Sequence, residues 1–488
     1  MKNLSVKLIR IFAVTLLLFN SSFAQKSDST NLRQKLQNQL NEWHKSGKFA
    51  GATLGVCLAN GNCFGLATGF SNLETKTPMK PTDLMLAGSV GKTYALVVAL
   101  QLVSEKKINF DDKIEKYLGA EKWFSRLPNS KDITVRQLMN HTSGLIRYEF
   151  KNQFTKDLTA NPDKVWKPEE LLAYLFDEKA AFEAGKGWDY SDTNYIVLGM
   201  IIERVTGKKY YDEAKNRVLK PLKFERTFPQ DGREIKNLIQ GYAGADNPFG
   251  GKDLVLENGK FIINPQFEWT GGGMVSNSED LARWAKAMYE GKAFDASLLP
   301  QILDGVPAKL GKDVKYGLGV IIRPTGAGLT YGHSGFFPGY MTDMMYFPEH
   351  KISVAVQVNT SVFQNLGKPL GRVLVETLET IIGKEQATTQ PKKQFVIVLR
   401  LNPKYQDEKS WTEADNQAVA RHFAKLQQLQ KDGKLIFAGR TLNKESMGVV
   451  ILEVETEAEA RKIMDDDDAV KAGIMSAEVL PFQTALMK

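Results

Sequence analysis

A serine and a lysine three residues apart, Ser89 and Lys92, stand near the start of LAGSVGKTYALVVALQLV, residues 86–103. Residues at that spacing are neighbours on a helix surface, so a helix from about Ser89 turns both side chains toward one point. Beyond Lys92 only Thr93 and Gln101 interrupt the apolar run to Val103, and a helix that is hydrophobic nearly all round is a buried one. Lys92 therefore belongs at the edge of a core. The chemistry open to such a pair is acyl transfer. A serine hydroxyl is a weak nucleophile until a base takes its proton, and lysine can be that base if burial or a nearby cation lowers its pKa. The same pair also reads as a helix-capping serine beside a snorkelling lysine.

Two further segments carry reactive side chains. Tyr190, Ser191 and Asp192 precede an amphipathic pattern in which Tyr195, Leu198, Ile201, Ile202 and Val205 share one broad face. Taken alone, Asp192 or Thr193 is an ordinary N-cap and Tyr190 a packed aromatic. His333, Ser334 and Gly335 follow one extended segment and open another. Gly335 lets backbone approach a ligand closely, and the N–H of Phe336 can join that of Ser89 in holding an oxyanion.

In chain order, SVGK, YSD and HSG are similar to the S-x-x-K, Y-x-N and K-T-G or H-x-G elements of class C serine β-lactamases, DD-peptidases and their esterase and D-aminopeptidase relatives. INFDDKIEKYL (108–118), ITVRQLMNHTSGL (133–145) and TGGGMVSNSEDLARWAKAM (270–288) extend the resemblance, which covers about 47–383. It implies an α/β (α+β) domain with an antiparallel sheet flanked by helices and a helical subdomain. It also implies an acyl-enzyme on Ser89, proton transfer shared by Lys92 and Tyr190, and an oxyanion hole from the N–H groups of Ser89 and Phe336. His333 and Gly335 would stand beside the substrate's anionic or polar end. No cofactor or metal is implied. The expected substrate is an ester, or an amide or peptide bearing a D-amino acid, with the cell wall as one source. A β-lactamase and a non-catalytic wall-peptide-binding protein are the alternatives.

Two departures from the family pattern matter. His333 in place of lysine points toward the peptidase- and esterase-like members. Asp192 in place of asparagine has no N–H for a substrate carbonyl, and beside Lys92 it favours the charged ammonium.

At 488 residues the chain exceeds one ordinary domain. Residues 1–24, with Lys2, Lys7 and Arg10 before a short apolar run and small residues at Ser22 and Ala24, read as a secretory signal peptide. That run is too short to span a bilayer comfortably, and no cysteine near the cut offers a lipid anchor. The mature protein is thus expected to be secreted or periplasmic, without a stable membrane anchor. Removing those cations lowers the formal charge from +8 to +5, and the basic residues are scattered rather than striped, which argues against nucleic acid. The five histidines form no H-E-x-x-H, and His141 in NHTSGL reads as a turn residue. Cys57 and Cys63 flank a hairpin signal at Asn60-Gly61. A two-residue turn there pairs Cys57 with Phe64, which leaves a disulfide open.

The hydrolase domain is bounded at 25–383. Residues 384–393 are polar and proline-bearing and read as a linker. From 394 to 488 the pattern β-α-β-β-α-β is the ferredoxin-like α+β order, and this part resembles YCII-related domains. The resemblance implies pairing of two copies through the sheet, and a polar pair of His422 and Asp467. The alternative places Asp467 in a solvated acidic run, 465–468.

Overall fold

Apolar strand segments from both ends of the first unit meet in one sheet. The computed structural model describes residues 30–245, 247–250, 253–383, 393–443 and 447–482, and the expected signal peptide and nearly all of the expected linker lie outside them. The principal strands are β1 (Gly51–Cys57), β2 (Cys63–Asn72), β3 (Ile321–Thr325), β4 (Gly328–Phe337), β5 (Tyr340–Phe347) and β6 (Ile352–Val358). Among the described residues the sheet has nine strands in the order Thr77–Pro78, β2, β1, β6, β5, β4, β3, Lys315–Tyr316, Val306–Pro307, each neighbouring pair antiparallel. β1, β5 and β6 are buried along their whole length. Strands covered on both faces read as continuous apolar runs rather than as alternation, which is why ISVAVQV carries so little polar character.

The helices that cover them are α1 (30–46), α2 (Lys92–Ser104), α3 (Asp192–Thr206), α4 (Ser278–Tyr289) and α5 (Leu370–Ile381). α1 and α5 pack Leu36, Leu40 and Trp43 with Leu374 and Leu378 against Val354, Val356 and Met345. α4 passes so close to β1 that a Cβ on Gly55 would meet the Ser278 carbonyl oxygen at 1.9 Å. α2 and α3 share the larger core with Trp284 of α4, and α2 is buried from Lys92 to Leu100, as its all-round apolar surface requires. Among the described residues no helix is long and apolar enough to cross a membrane.

Two local expectations are corrected. The helix does not start at Ser89 as α-helix: a 3-10 turn, Gly88–Gly91, precedes α2. Side chains three apart eclipse in such a turn, so Ser89 and Lys92 still face one point. The hairpin between β1 and β2 is also longer than two residues. Leu58 N–H donates to Asn62 O at 2.9 Å, and Gly61 takes a positive φ of 85°. That shifts the register so that Cys57 lies directly opposite Cys63, with Cα atoms 4.1 Å apart, and the two form a disulfide.

The chain divides into two compact units between Lys384 and Glu385. The second is built from β7 (Lys393–Leu401), α6 (Glu413–Lys431), β8 (Leu435–Arg440), β9 (Met447–Val454), α7 (Glu457–Asp465) and β10 (Met475–Phe482). Its strands run β8-β9-β7-β10, all antiparallel, the ferredoxin-like order expected. Phe395, Ile397, Leu399, Val450 and Leu452 form its core with Leu426 and Met464. The alternate positions put Val396, Val398, Val449 and Ile451, half-buried, on the other face with exposed Phe437 and Leu480.

Candidate active site

The first turn of α2 is held by two glycine-lined backbone approaches. Gly88 has φ 52°, and a Cβ there would meet the Phe336 nitrogen at 2.6 Å; a Cβ on Gly335 would meet the Ala87 carbonyl oxygen at 2.0 Å. β4 therefore runs directly against the Ser89 turn and brings the Phe336 amide beside it. On another side, a Cβ on Gly91 would meet the Gly272 carbonyl oxygen at 2.4 Å, so the TGGG loop closes over the same turn. A cavity of about 1360 Å³ opens onto Ser89, Tyr190, Asp192, Glu149, Glu268 and β4.

Lys92 Nζ is fully buried and meets three acceptors. It donates to Ser89 Oγ at 3.0 Å and to the Gly271 carbonyl, and it forms an ion pair with Asp192 Oδ1. An ammonium has three N–H donors and no acceptor; its hydrogen bonds go to Ser89 and Gly271, and the Asp192 carboxylate balances its charge. Burial presses Lys92 toward the neutral form, but the Asp192 charge above all outweighs it and leaves the ammonium favoured above its ordinary value. Burial alone would raise Asp192, whereas Lys92 and Arg147 together hold it below the usual carboxylate range. Asp192 is the first residue of α3 and Ser191 its N-cap, not Asp192 or Thr193, and a carboxylate there also faces the positive end of the helix.

Tyr190 stacks its ring near this centre, with Lys92 Nζ 5.0 Å from the ring centroid. Its buried hydroxyl lies close enough to Ser89 and Lys92 for both to bear on it, without a hydrogen bond of normal geometry. Burial raises its pKa although Lys92 works against that, so it is a phenol at neutral pH. Two carboxyls that the sequence did not single out complete the surroundings. Glu149 accepts from Arg147 Nε at 2.6 Å, and a Cβ on Gly272 would meet Glu268 Oε2 at 2.1 Å. Burial and the Asp192 charge push both up to about 8.

His333 lies within β4 and is 2% exposed. Its Nε2 is 2.8 Å from the Tyr316 hydroxyl and its Nδ1 2.7 Å from the Ser334 carbonyl oxygen, so neither ring nitrogen is left for a substrate's anionic end. Burial, then the Lys92 charge, lowers it to about 3. Phe336 is exposed and stacks on Phe363 with centroids 5.8 Å apart. His141 is buried at φ 61° among the site's aromatic rings and bonds to Tyr316 rather than to Ser89.

Residues 30–377 match the family model described as Beta-lactamase. The chain belongs to the beta-lactamase family. Its C-terminal unit is a YCII-related domain, matched over 394–483. The family includes relatives of varied activity. The chain is 26% identical over 294 residues to penicillin-binding protein 4* of Bacillus subtilis (58% of this chain, 62% of that protein). It is 26% identical over 295 residues to D-aminopeptidase of Brucella anthropi (60% and 53%) and 28% over 295 residues to teichoic acid D-alanine hydrolase of Staphylococcus aureus (59% and 66%). The matches thus span between about half and two thirds of these relatives. Among solved structures, a D-stereospecific amidohydrolase from Streptomyces sp. superposes with a TM-score of 0.60 at 25% identity, covering 71% of this chain and 98% of that one.

In the YCII-related domain His422 Nδ1 lies 2.9 Å from Asp467 Oδ2. The other carboxylate oxygen accepts from the N–H groups of Ala469 and Val470 as the cap of a short helix. Asp467 is thus buried and lowered rather than part of a solvated run.

Proposed function

We propose that the first unit is a secreted or periplasmic serine hydrolase that moves the acyl group of a D-aminoacyl ester or amide to Ser89 and then to water. The observation that carries this reading is the set of carboxyls lining the nucleophile's cavity. Asp192, Glu149 and Glu268 line it with Ser89, beside Arg147 and Arg323. A carboxyl kept protonated by burial ionises when an ammonium is placed against it, while His333 offers no positive charge. A D-aminoacyl group brings an ammonium next to its scissile carbonyl; a penicillin or N-acylated peptide brings a neutral amide there and a carboxylate further off. The D-aminopeptidase, D-alanine hydrolase and D-stereospecific amidohydrolase named above support the same substrate class.

In this reading Ser89 Oγ attacks the carbonyl carbon while the N–H groups of Ser89 and Phe336 hold the oxyanion. The serine proton passes to Lys92 as Lys92 gives one of its own to Asp192, which leaves Lys92 an ammonium and Asp192 a carboxylic acid. That proton returns through Lys92 and Tyr190 to the leaving oxygen or nitrogen. Water then attacks the acyl-enzyme by the same relay.

The test is a rate comparison on the mature protein with D-alanyl p-nitroanilide, its N-acetyl form and a chromogenic cephalosporin, alongside fluorophosphonate labelling. The free-amine anilide is expected to exceed the N-acetyl form at least tenfold in kcat/KM, which is about 1.4 kcal/mol of transition-state binding. Ser89→Ala should abolish both turnover and label. Faster cephalosporin turnover would make the protein a β-lactamase, and absence of both label and turnover would leave the ligand-binding reading that an ammonium at Lys92 favours.

The apolar outer face of the C-terminal sheet supports pairing with a second copy, since exposed contiguous apolar patches mark interaction surfaces. Light scattering should give a dimer for the full chain and a monomer after removal of residues from Lys393 onward. The same mass per chain for both would refute it.

A further inference from the structure

Between the sheet and the helical layer runs a chain of buried hydrogen bonds that the acyl transfer does not itself use. It begins at the N-cap of α3, where Ser191 N–H and Asn194 Nδ2 donate to His141 Nδ1 at 3.3 and 3.0 Å. His141 Nε2 lies 3.2 Å from the Tyr316 hydroxyl, which lies 2.8 Å from His333 Nε2; His333 Nδ1 in turn lies 2.7 Å from the Ser334 carbonyl oxygen. Every side chain in the series is buried.

The two ends fix its direction. A backbone N–H only donates and a backbone carbonyl only accepts. His141 Nδ1 is therefore an acceptor, its proton sits on Nε2, and that proton is donated to Tyr316. The one hydroxyl proton of Tyr316 goes to His333 Nε2, and the His333 proton sits on Nδ1 and is donated to Ser334. The Tyr195 hydroxyl is also within reach of Tyr316, but the Ser334 carbonyl requires the His333 proton on Nδ1, so in a neutral ring Nε2 is the acceptor that the Tyr316 hydroxyl faces. Both imidazoles are neutral and hold opposite tautomers.

The series is also the packing floor of Tyr190. The Tyr190 ring centroid is 4.3 Å from that of His141, 6.0 Å from Tyr316 and 6.2 Å from His333. We infer that Tyr316 is a positioning residue which, by accepting from His141 and donating to His333, ties β4 to the start of α3 and holds the Tyr190 ring in place beside Lys92 and Ser89. Its own strand, Lys315–Tyr316, contributes nothing else to the site. Removing only the hydroxyl leaves His141 Nε2–H without an acceptor and His333 Nε2 without a donor in a buried setting, and unsatisfied buried groups are costly enough to force rearrangement. The relief open to them is rotation or a tautomer change, and either moves the surface on which Tyr190 rests.

The first arm of the test uses the unaltered protein and does not depend on any substrate. In ¹⁵N-histidine NMR from about pH 5 to about pH 8, His141 should show a protonated Nε2 and His333 a protonated Nδ1. Neither should titrate, although Lys92, Arg147, Asp192 and Arg323 bear on them from the surrounding elements. His141→Asn and His333→Asn assign the signals. The second arm is Tyr316→Phe, which keeps the ring and removes the donor. The His333 Nε2 resonance should shift, and kcat should fall about tenfold to a hundredfold, the scale of a misplacement near an ångström. KM should stay within about threefold while the rate of fluorophosphonate labelling at Ser89 falls in parallel. The kinetic arm rests on the acyl-enzyme reading and the tautomer arm does not. Absence of turnover in the unaltered protein would therefore sink that reading while the tautomers still decide this one. Like tautomers, a titrating His333, or a folded Tyr316→Phe protein with unchanged kcat and labelling overturns the inference.

Discussion

Exchange of Lys92 for methionine is expected to lower kcat/KM by about three to four orders of magnitude, the upper part of the range for loss of a positioned proton-transfer group. Lys92 touches Ser89 Oγ and also reaches Asp192 and the Gly271 carbonyl. Without it the serine proton loses its path to Asp192. The same substitution strands a buried carboxylate, and breaking a buried pair by removing one partner costs about 3–5 kcal/mol. Loss of activity alone would thus be ambiguous. The double variant Lys92→Met with Asp192→Asn removes both charges, and replacing a whole buried pair is often close to neutral. Thermal unfolding of the double variant should return toward that of the unaltered protein while activity stays at the level of the single variant. Recovery of activity together with stability would show that Lys92 acts only as a structural cation.

The parts of this site that were legible from sequence are those whose signal is local. Ser89 and Lys92 declare themselves by spacing against an apolar helix, and the same spacing works in the 3-10 turn that the structure has there. The β-α-β-β-α-β order of the second unit is likewise a local alternation of periods, and its sheet follows. What was missed depends on long-range packing. Glu149 and Glu268 sit on short 3-10 turns, Tyr148–Phe150 and Pro265–Gly271, too short to show a periodicity, and only the fold brings them to the cavity. Tyr316 lies on a two-residue strand at the far side of the sheet, and its neighbours His141 and Ser191 come from elsewhere in the chain. His333 illustrates the limit from the other side. The HSG motif located the strand correctly, but whether its nitrogens face substrate was decided by Tyr316 and the Ser334 carbonyl. The cysteine pair depended on one residue of hairpin register, which Asn60-Gly61 alone does not fix.

Exchange of Asp192 for asparagine should change the pH dependence of the reaction rather than simply weaken it. In the unaltered protein the ionised base is Asp192, held below the usual carboxylate range, and Lys92 is an ammonium across neutral pH. Activity therefore needs Asp192 deprotonated and should be lost only as pH falls through that depressed value. With asparagine the counter-charge is gone and burial, the largest influence on Lys92, is no longer outweighed by its nearest partner. The Lys92 pKa falls, and Lys92 must itself be neutral to take the serine proton. Activity then rises with pH through the lowered lysine value, so the acid limb moves to higher pH. At about pH 5 the variant should fall about a hundredfold relative to its own rate at about pH 8, a loss of about 2.7 kcal/mol, while the unaltered protein changes little over that interval through this group. Glu149 and Glu268, raised to about 8 by burial and then by the Asp192 charge, lose the second influence in the variant, so their titration moves to lower pH, opposite in direction to the acid limb set by Lys92. The asparagine side chain also supplies the N–H that a carboxylate lacks, so D-alanyl amides should gain on D-alanyl esters in relative kcat/KM. Superimposable pH profiles, with the amide-to-ester ratio unchanged, would remove Asp192 from the proton path and return the base role to Tyr190.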